Sequence, residues 1–216
     1  GEFATPMPRK KRPKPLKGAE KFTEPLSVGI GTSGTVFRMR DITTQELVAV
    51  KQVPRGGQIN KYVYREMVNH KRLLHRNLIK FREVFLTDAH ISVVMEYASG
   101  GDLLSFVLRY QEQHGHPLPE HLARFFFDQI LRGVAYMHSK GVCHRDLKLE
   151  NILLSSDGSG DDPPVVKICD FGFSKSARHS NPHSLVGTTF YCAPEILRAG
   201  IADEQYSGEM CDVWSL

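Results

Sequence analysis

The sequence predicts an α+β fold built as a bilobal chain, with a β-rich first lobe and an α-rich second. Three observations predict it. From Phe22 to about Tyr97, apolar residues alternate with polar ones in short runs, which is the period of half-buried strands. After SGGD (99–102) the apolar residues recur at helical spacing over longer stretches. With 216 residues, 41% of them hydrophobic, the chain can bury a core of one domain or two small ones.

The elements follow in order. Gly1-Glu2-Phe3 lacks an initiator Met and is left out of the fold reading. PRKKRPKPLKG (8–18) is rich in Pro and Lys, so residues 1–18 read as a disordered basic tail. LSVGIG, TVFRMR, LVAVKQV, IKFREVF and ISVVMEY read as strands, with turn chemistry in TTQE (43–46). One helix interrupts them, NKYVYREMVNHKRLL (60–74), with Val63, Met67, His70 and Leu74 on one face. A hinge falls near 96–101. DLLSFVLRYQEQ and PEHLARFFFDQILRGVAYMHSKG then read as helices, the second stopping at Gly141. Short strands follow in VCH, ILLS and VVKICD. The expected division is a tail at 1–18, a first lobe at 19–97 and a second at 98–216.

Several function classes are excluded. No apolar run has the length that spans a bilayer, and no apolar stretch follows the basic residues as in a signal peptide. Cys143, Cys169, Cys192 and Cys211 lack CxxC spacing, so no zinc site is expected and the thiols are read as reduced. Residues 1–18 carry six Lys/Arg and one Glu, which leaves 22 Lys/Arg against 23 Asp/Glu beyond them. The folded part therefore has no basic excess of the kind that binds nucleic acid. The acidic SSDGSGDDPP (155–164) has no ligand pattern running on to a Glu, so it is a solvated loop and not a calcium loop.

The chemistry sits in four motifs. VGIGTSGTV (28–36) places Gly29, Gly31 and Gly34 where backbone N–H groups can approach phosphate oxygens. A β-like TVFRMR follows, so this loop joins two strands and is not a dinucleotide-binding turn. AVK puts Lys51 inside an apolar strand. It is either an edge-strand Lys facing solvent or one partner of a pair with Glu66. HRDLKLEN (144–151) suits phosphoryl transfer: Asp146 can take a hydroxyl proton, Lys148 can neutralise phosphate, and the Asn151 amide oxygen can hold Mg²⁺. DFG (170–172) adds a second hard oxygen ligand in Asp170, nineteen residues on and past a strand pair.

The order of glycine loop, AVK, helix Glu, HRDLKxxN, DFG, GTTFYCAPE (187–195) and DVWS (212–215) resembles the eukaryotic protein kinase family over about Phe22 to Leu216. Lys148 and the GT before YCAPE resemble its Ser/Thr branch. The resemblance implies that Gly29, Gly31 and Gly34 cover the ATP phosphates and that Lys51 holds them while pairing with Glu66. It also implies that Val28, Val36, Ala49 and Leu153 sandwich the adenine, that Glu96 and Ala98 offer hinge backbone groups behind Met95, and that Asp102 contacts the ribose. Asp146 is then the base, Lys148 steadies the γ-phosphate, and Asn151 and Asp170 hold Mg²⁺. His70, Phe81, His144 and Phe171 match the family's stacked spine. Ser33 departs from the aromatic tip usual in its glycine loop.

REMVNHKRLLHRNLIKF, VMEYASGGDL, HSKGVCHRDLKLEN and KICDFGFSKS resemble the plant SNF-related kinases of the osmotic-stress and abscisic-acid branch, and more distantly AMP-activated-type kinases. This implies protein substrates with basic residues before the target Ser/Thr, an upstream activating kinase and an opposing phosphatase. Arg145 would grip a phosphate at Ser184, and Thr188 would bond Asp146 and Lys148. A cytoplasmic or nuclear location fits, with PRKKRP as either a nuclear signal or a solubilising arm. The sequence stops at Leu216, at the start of what the family uses as its central second-lobe helix, so a non-catalytic nucleotide- or partner-binding module stays open beside an active kinase.

Overall fold

A computed structural model describes residues 18–31, 34–55, 64, 67–155, 164–171, 175–176, 191–196 and 206–216. The basic tail up to residue 17, Ser33, Glu66, most of the acidic loop, Ser184 and Thr188 lie outside the described residues.

The first lobe is one antiparallel sheet. Its strands are β1 (Phe22–Gly31), β2 (Gly34–Asp41), β3 (Leu47–Pro54), β4 (Phe81–Leu86) and β5 (His90–Glu96), in the order β1-β2-β3-β5-β4. Along β3 a period of two puts Val48 and Val50 on one face and Lys51 and Val53 on the other, and both pairs are buried. The β2–β3 turn is built by Asp41, whose Oδ1 accepts from the N–H groups of Thr43 and Thr44.

The second lobe packs two helices around one core. Helix α1 (Leu103–His114) starts at Asp102, whose carboxylate accepts from Ser105 N–H at 2.8 Å, and ends at Gly115 with φ +71°. Helix α2 (Glu120–Ser139) buries Phe126, Ile130, Val134 and Met137 on one stripe. The stripe faces β6 (Val142–Cys143) and the antiparallel pair β7 (Ile152–Ser155) and β8 (Val165–Ile168). The short β9 (Lys175–Ser176) pairs with β6. Helix α3 (Gly208–Trp214) closes the described chain, capped by Ser207. Among the described residues no helix is long and apolar enough to cross a membrane.

The expected helix over 60–74 needs a correction at its end. Helical geometry stops at Lys71. Beyond it Arg72 N–H donates to Asn69 and Leu73 N–H to His70, both three residues back, and this tighter winding shifts the face turned inward. Leu73 is therefore the buried residue, and Leu74 is 69% exposed.

The segment after this helix joins the lobes. Ile79 N–H donates to the Ile168 carbonyl and Ile168 N–H to that of Asn77, each at 2.9 Å. The Asn77 amide donates to the Val166 carbonyl and to Gln129 on α2. The two main-chain bonds and the Asn77 amide thus hold β8 against the segment that leads into the first lobe.

Candidate active site

A cavity of about 290 Å³ lies between the lobes. Val28, Val36, Ala49 and Leu153 supply its apolar lining, with Gly29, Met95, Glu96, Asp102, Lys51, Asn151 and Asp170 around them. The size and the mixture of an apolar slot with a few charged groups suit a flat heterocycle carrying phosphates. Gly31 and Gly34 pair across the hairpin tip and lie outside the lining. A Cβ on Gly34 would run into the Gln52 carbonyl of β3, so this glycine is required by strand packing before any ligand is considered. Ala98 is buried beside the hinge, outside the lining as well. Glu96 N–H donates to the Lys80 carbonyl at 2.9 Å, so only its carbonyl can serve a ligand. Leu154 N–H and Gly100 N–H bond across between β7 and the hinge loop, which sets Asp102 opposite Leu153.

Lys51 is not an edge-strand lysine. It sits on β3 between Val36 of β2 and Val93 of β5 and is 4% exposed. Its Nζ lies 2.9 Å from the Asp170 carboxylate. An ammonium so buried needs a nearby anion, and the sheet delivers it to the mouth of the cavity. Asp170 takes φ +60° just after β8, a conformation that costs on the order of 1–3 kcal/mol and persists where the surroundings hold it. The Asn151 amide nitrogen donates to the Asp146 carbonyl at 2.8 Å and to its Oδ2 at 3.1 Å. Its oxygen is thereby turned toward the cavity that Asp170 also lines. One amide oxygen and one carboxylate are hard donors, the kind a divalent cation bridging phosphates takes.

The start of the HRDLKLEN segment hangs from Asp212 on α3. This carboxylate is fully buried. It accepts from His144 N–H at 2.8 Å, Arg145 N–H at 2.6 Å and His138 Nε2–H at 2.8 Å. Arg145 is itself in the left-handed region, at φ +67°. His144 Nδ1 accepts from Asp146 N–H, so its Nε2–H donates to the Cys169 carbonyl. Asp146 ends 3.2 Å from Lys148 Nζ, both largely buried, next to Asn151 on the cavity wall. Gly208, at the start of α3, lets that helix come close: a Cβ there would sit 2.9 Å from Cys143 Cβ.

The four rings that the resemblance implies as a spine are in contact. His70 lies 5.7 Å from Phe81 and 4.6 Å from Phe171, and Phe171 lies 5.5 Å from His144, between ring centres. Burial lowers the His70 imidazole to about 4, against the pull of its bond to the Ile79 carbonyl. A base depressed in the folded state leaves stability complete above its unfolded value of 6.5. That stability is lost as pH falls from 6.5 toward 4, because the unfolded chain then binds the proton first. The full span is worth about 3 kcal/mol, and about 2 kcal/mol of it disappears by pH 5. Urea unfolding at pH 7.5 and pH 5 should show this loss in the wild type and less of it in His70→Leu. Parallel losses in the two proteins would exclude His70 as the cause.

Arg145 is 5% exposed, with its guanidinium 3.4 Å from the Tyr206 hydroxyl. Its expected phosphate partner Ser184, the Thr188 contact and the Lys51–Glu66 pair lie outside the described residues. Two residues went unassigned in the sequence reading. Asp212 stood in DVWS with no role, and its only signal was a charge at the start of an apolar helix. His138 gave no signal, because its partner lies 74 positions away.

Residues 22–216 match the protein family described as protein kinase domain. Among curated proteins, the chain is 48% identical over 204 residues to serine/threonine-protein kinase SRK2I of Arabidopsis thaliana, covering 93% of this chain and 52% of that protein. It is 48% identical over 192 residues to serine/threonine-protein kinase SRK2A of Physcomitrium patens, covering 87% and 50%. It is 46% identical over 200 residues to serine/threonine-protein kinase SAPK4 of Oryza sativa subsp. japonica, covering 91% and 51%. The chain thus spans about half the length of the curated relatives it matches.

Proposed function

This chain belongs to the protein kinase family, and from that premise we propose that it serves as the ATP-binding and catalytic part of a serine/threonine kinase. The observation that carries the reading is the convergence of three segments on one cleft: Lys51, Asn151 and Asp170 line it, and Asp146 is bonded to Asn151 beside it. ATP would lie with its adenine between Val28, Val36, Ala49 and Leu153, and its phosphates toward Lys51. Asn151 and Asp170 would hold Mg²⁺, which supplies positive charge to the phosphates when bound. Asp146 orients the acceptor hydroxyl and takes its proton. The hydroxyl oxygen bonds the γ-phosphorus, the bond to the β-bridging oxygen breaks, and ADP leaves. Lys148, beside Asp146, meets the charge on the transferred group. Catalysis of this kind is positioning and charge neutralisation.

The first test is binding. Mg²⁺ and ATP together should raise the melting temperature of the folded chain, and Asp170→Ala should remove most of that shift. A folded protein with no shift would overturn the nucleotide reading. Radiolabel transfer to a basic peptide then separates an enzyme from a binding module that holds nucleotide without turnover.

The finer reading rests on the relatives, which are named serine/threonine kinases. We infer substrates with Arg or Lys a few residues before the target, read by Asp102 and Glu150 beside the cleft. An upstream kinase would phosphorylate Ser184, and a phosphatase would reverse it, in the cytoplasm or nucleus. Arg145 would gather that phosphate, which carries roughly −1.5 to −2 charge. Ser184→Ala in a full-length protein should then resist activation by an upstream kinase. Full activation of that variant would place the switch elsewhere.

A further inference from the structure

Glu96 lines two cavities. One is the cleft described above; the other, of about 390 Å³, is lined by Leu74, His75, Arg76, Lys80, Arg82 and Lys167 along with Glu96. Four of these side chains are cations and one is a carboxylate, and the cations come from three separate segments. Two are already engaged: Arg82 with Glu46 at 2.6 Å, and Lys167 with Glu96 at 2.7 Å. Arg76 and Lys80 are exposed and form no ion pair among the described residues. His75 adds a neutral donor. Its Nδ1 accepts from Asn77 N–H at 3.1 Å, which leaves the proton on Nε2, and its ring is held flat against Tyr136 at 4.9 Å.

We propose that this groove behind the hinge binds a phosphate-type oxyanion, the chemistry shared by inorganic phosphate and a phosphorylated side chain on a peptide. Two guanidinium groups, two ammonium groups and an imidazole N–H offer more donors than the carboxylates of Glu46 and Glu96 can accept, and a tetrahedral dianion can take them from several directions. Leu74, turned outward by the early end of its helix, adds an exposed apolar contact at the rim. Glu96 is the built-in competitor. Its carboxylate holds Lys167 and also accepts Lys80 N–H at 3.1 Å, so an incoming anion must share these donors against a like charge. Because Glu96 also lines the cleft, occupancy of one cavity would bear on the other. That coupling rests on the proposed nucleotide role, whereas the anion site does not.

The test is calorimetric titration of the chain without nucleotide, at low ionic strength where exposed charges are least screened. The probes are inorganic phosphate, a phosphoserine peptide and its unphosphorylated twin. Removing the exposed cations one at a time, as Arg76→Gln and Lys80→Gln, should weaken binding by up to about fivefold each. Glu96→Gln should strengthen it by a similar factor. Arg109→Gln, which removes an exposed cation outside the groove, should leave binding nearly unchanged, and an equal loss there would mean general charge attraction. Binding of phosphate alone makes the ligand a free anion, and tighter binding of the phosphopeptide makes it a peptide-borne one; both support the site. Absence of binding, equal binding of the unphosphorylated peptide, or binding indifferent to Arg76 and Lys80 but blocked by ATP would overturn it. Nucleotide affinity, measured separately, shows whether the cleft reading has failed instead.

Discussion

Replacing Asp146 by Ala should lower turnover by about 10²–10⁴-fold, the usual scale for losing a positioned base. Nucleotide affinity should change little. The carboxylate lies 3.2 Å from Lys148 and is not among the residues that line the nucleotide cavity. The fold should also survive, because the Asn151 amide keeps its bond to the Asp146 main-chain carbonyl when the side-chain oxygen is gone. Calorimetric binding of Mg-ATP and steady-state transfer to a basic peptide, measured on wild type and variant in a full-length protein, separate the two effects. A variant that turns over at nearly the wild-type rate would remove Asp146 from the mechanism. One that loses both binding and turnover would mean that the cleft had been disturbed as a whole.

Asp212→Ala should cost more in stability than any substitution in the cleft. It leaves the N–H groups of His144 and Arg145 buried without their acceptor, at roughly 1–3 kcal/mol each. The sum is a large fraction of the 5–15 kcal/mol that holds a typical domain together. Arg145, already at φ +67°, would lose one of the contacts that holds it there. His138→Ala is the informative comparison, because it removes a side-chain donor to the same carboxylate and orphans no backbone group. Denaturant unfolding should therefore rank Asp212→Ala well below His138→Ala, with His138→Ala close to wild type. Equal losses in the two would mean that the backbone bonds are not what Asp212 contributes. Asp212→Asn, which keeps one oxygen acceptor, should fold better than the Ala variant and still turn over slowly. Its defect should fall mainly on kcat, because Asp212 holds the segment carrying Asp146 and touches no group in the nucleotide cavity.

Much of this was legible in the sequence because it depends on neighbours along the chain. Strand alternation placed all five first-lobe strands, and Gly141 marked the end of the second long helix, whereas Gly115, which ends the first, was not read as its stop. The HRDLKLEN residues lie within eight positions, so the grouping of Asp146, Lys148 and Asn151 needed only a tight loop. The error at Leu74 had a local cause that periodicity cannot see, a switch to three-residue hydrogen bonds at the helix end. The roles of the spine and hinge residues came from resemblance, since no local pattern says that His70 will meet Phe171.

The sequence by itself determined which side chains can do chemistry and which short segments carry them, because backbone preference and hydrophobic period act over a few residues. The tertiary structure alone decided which distant groups meet. Lys51 and Asp170 are 119 positions apart, and Arg145 and Asp212 are 67 apart. A buried charge must find a partner wherever packing brings one, and packing is a property of the whole core. The same holds for Glu96 at the end of β5, which lines two cavities and meets Lys167 of β8 at 2.7 Å across 71 positions of chain.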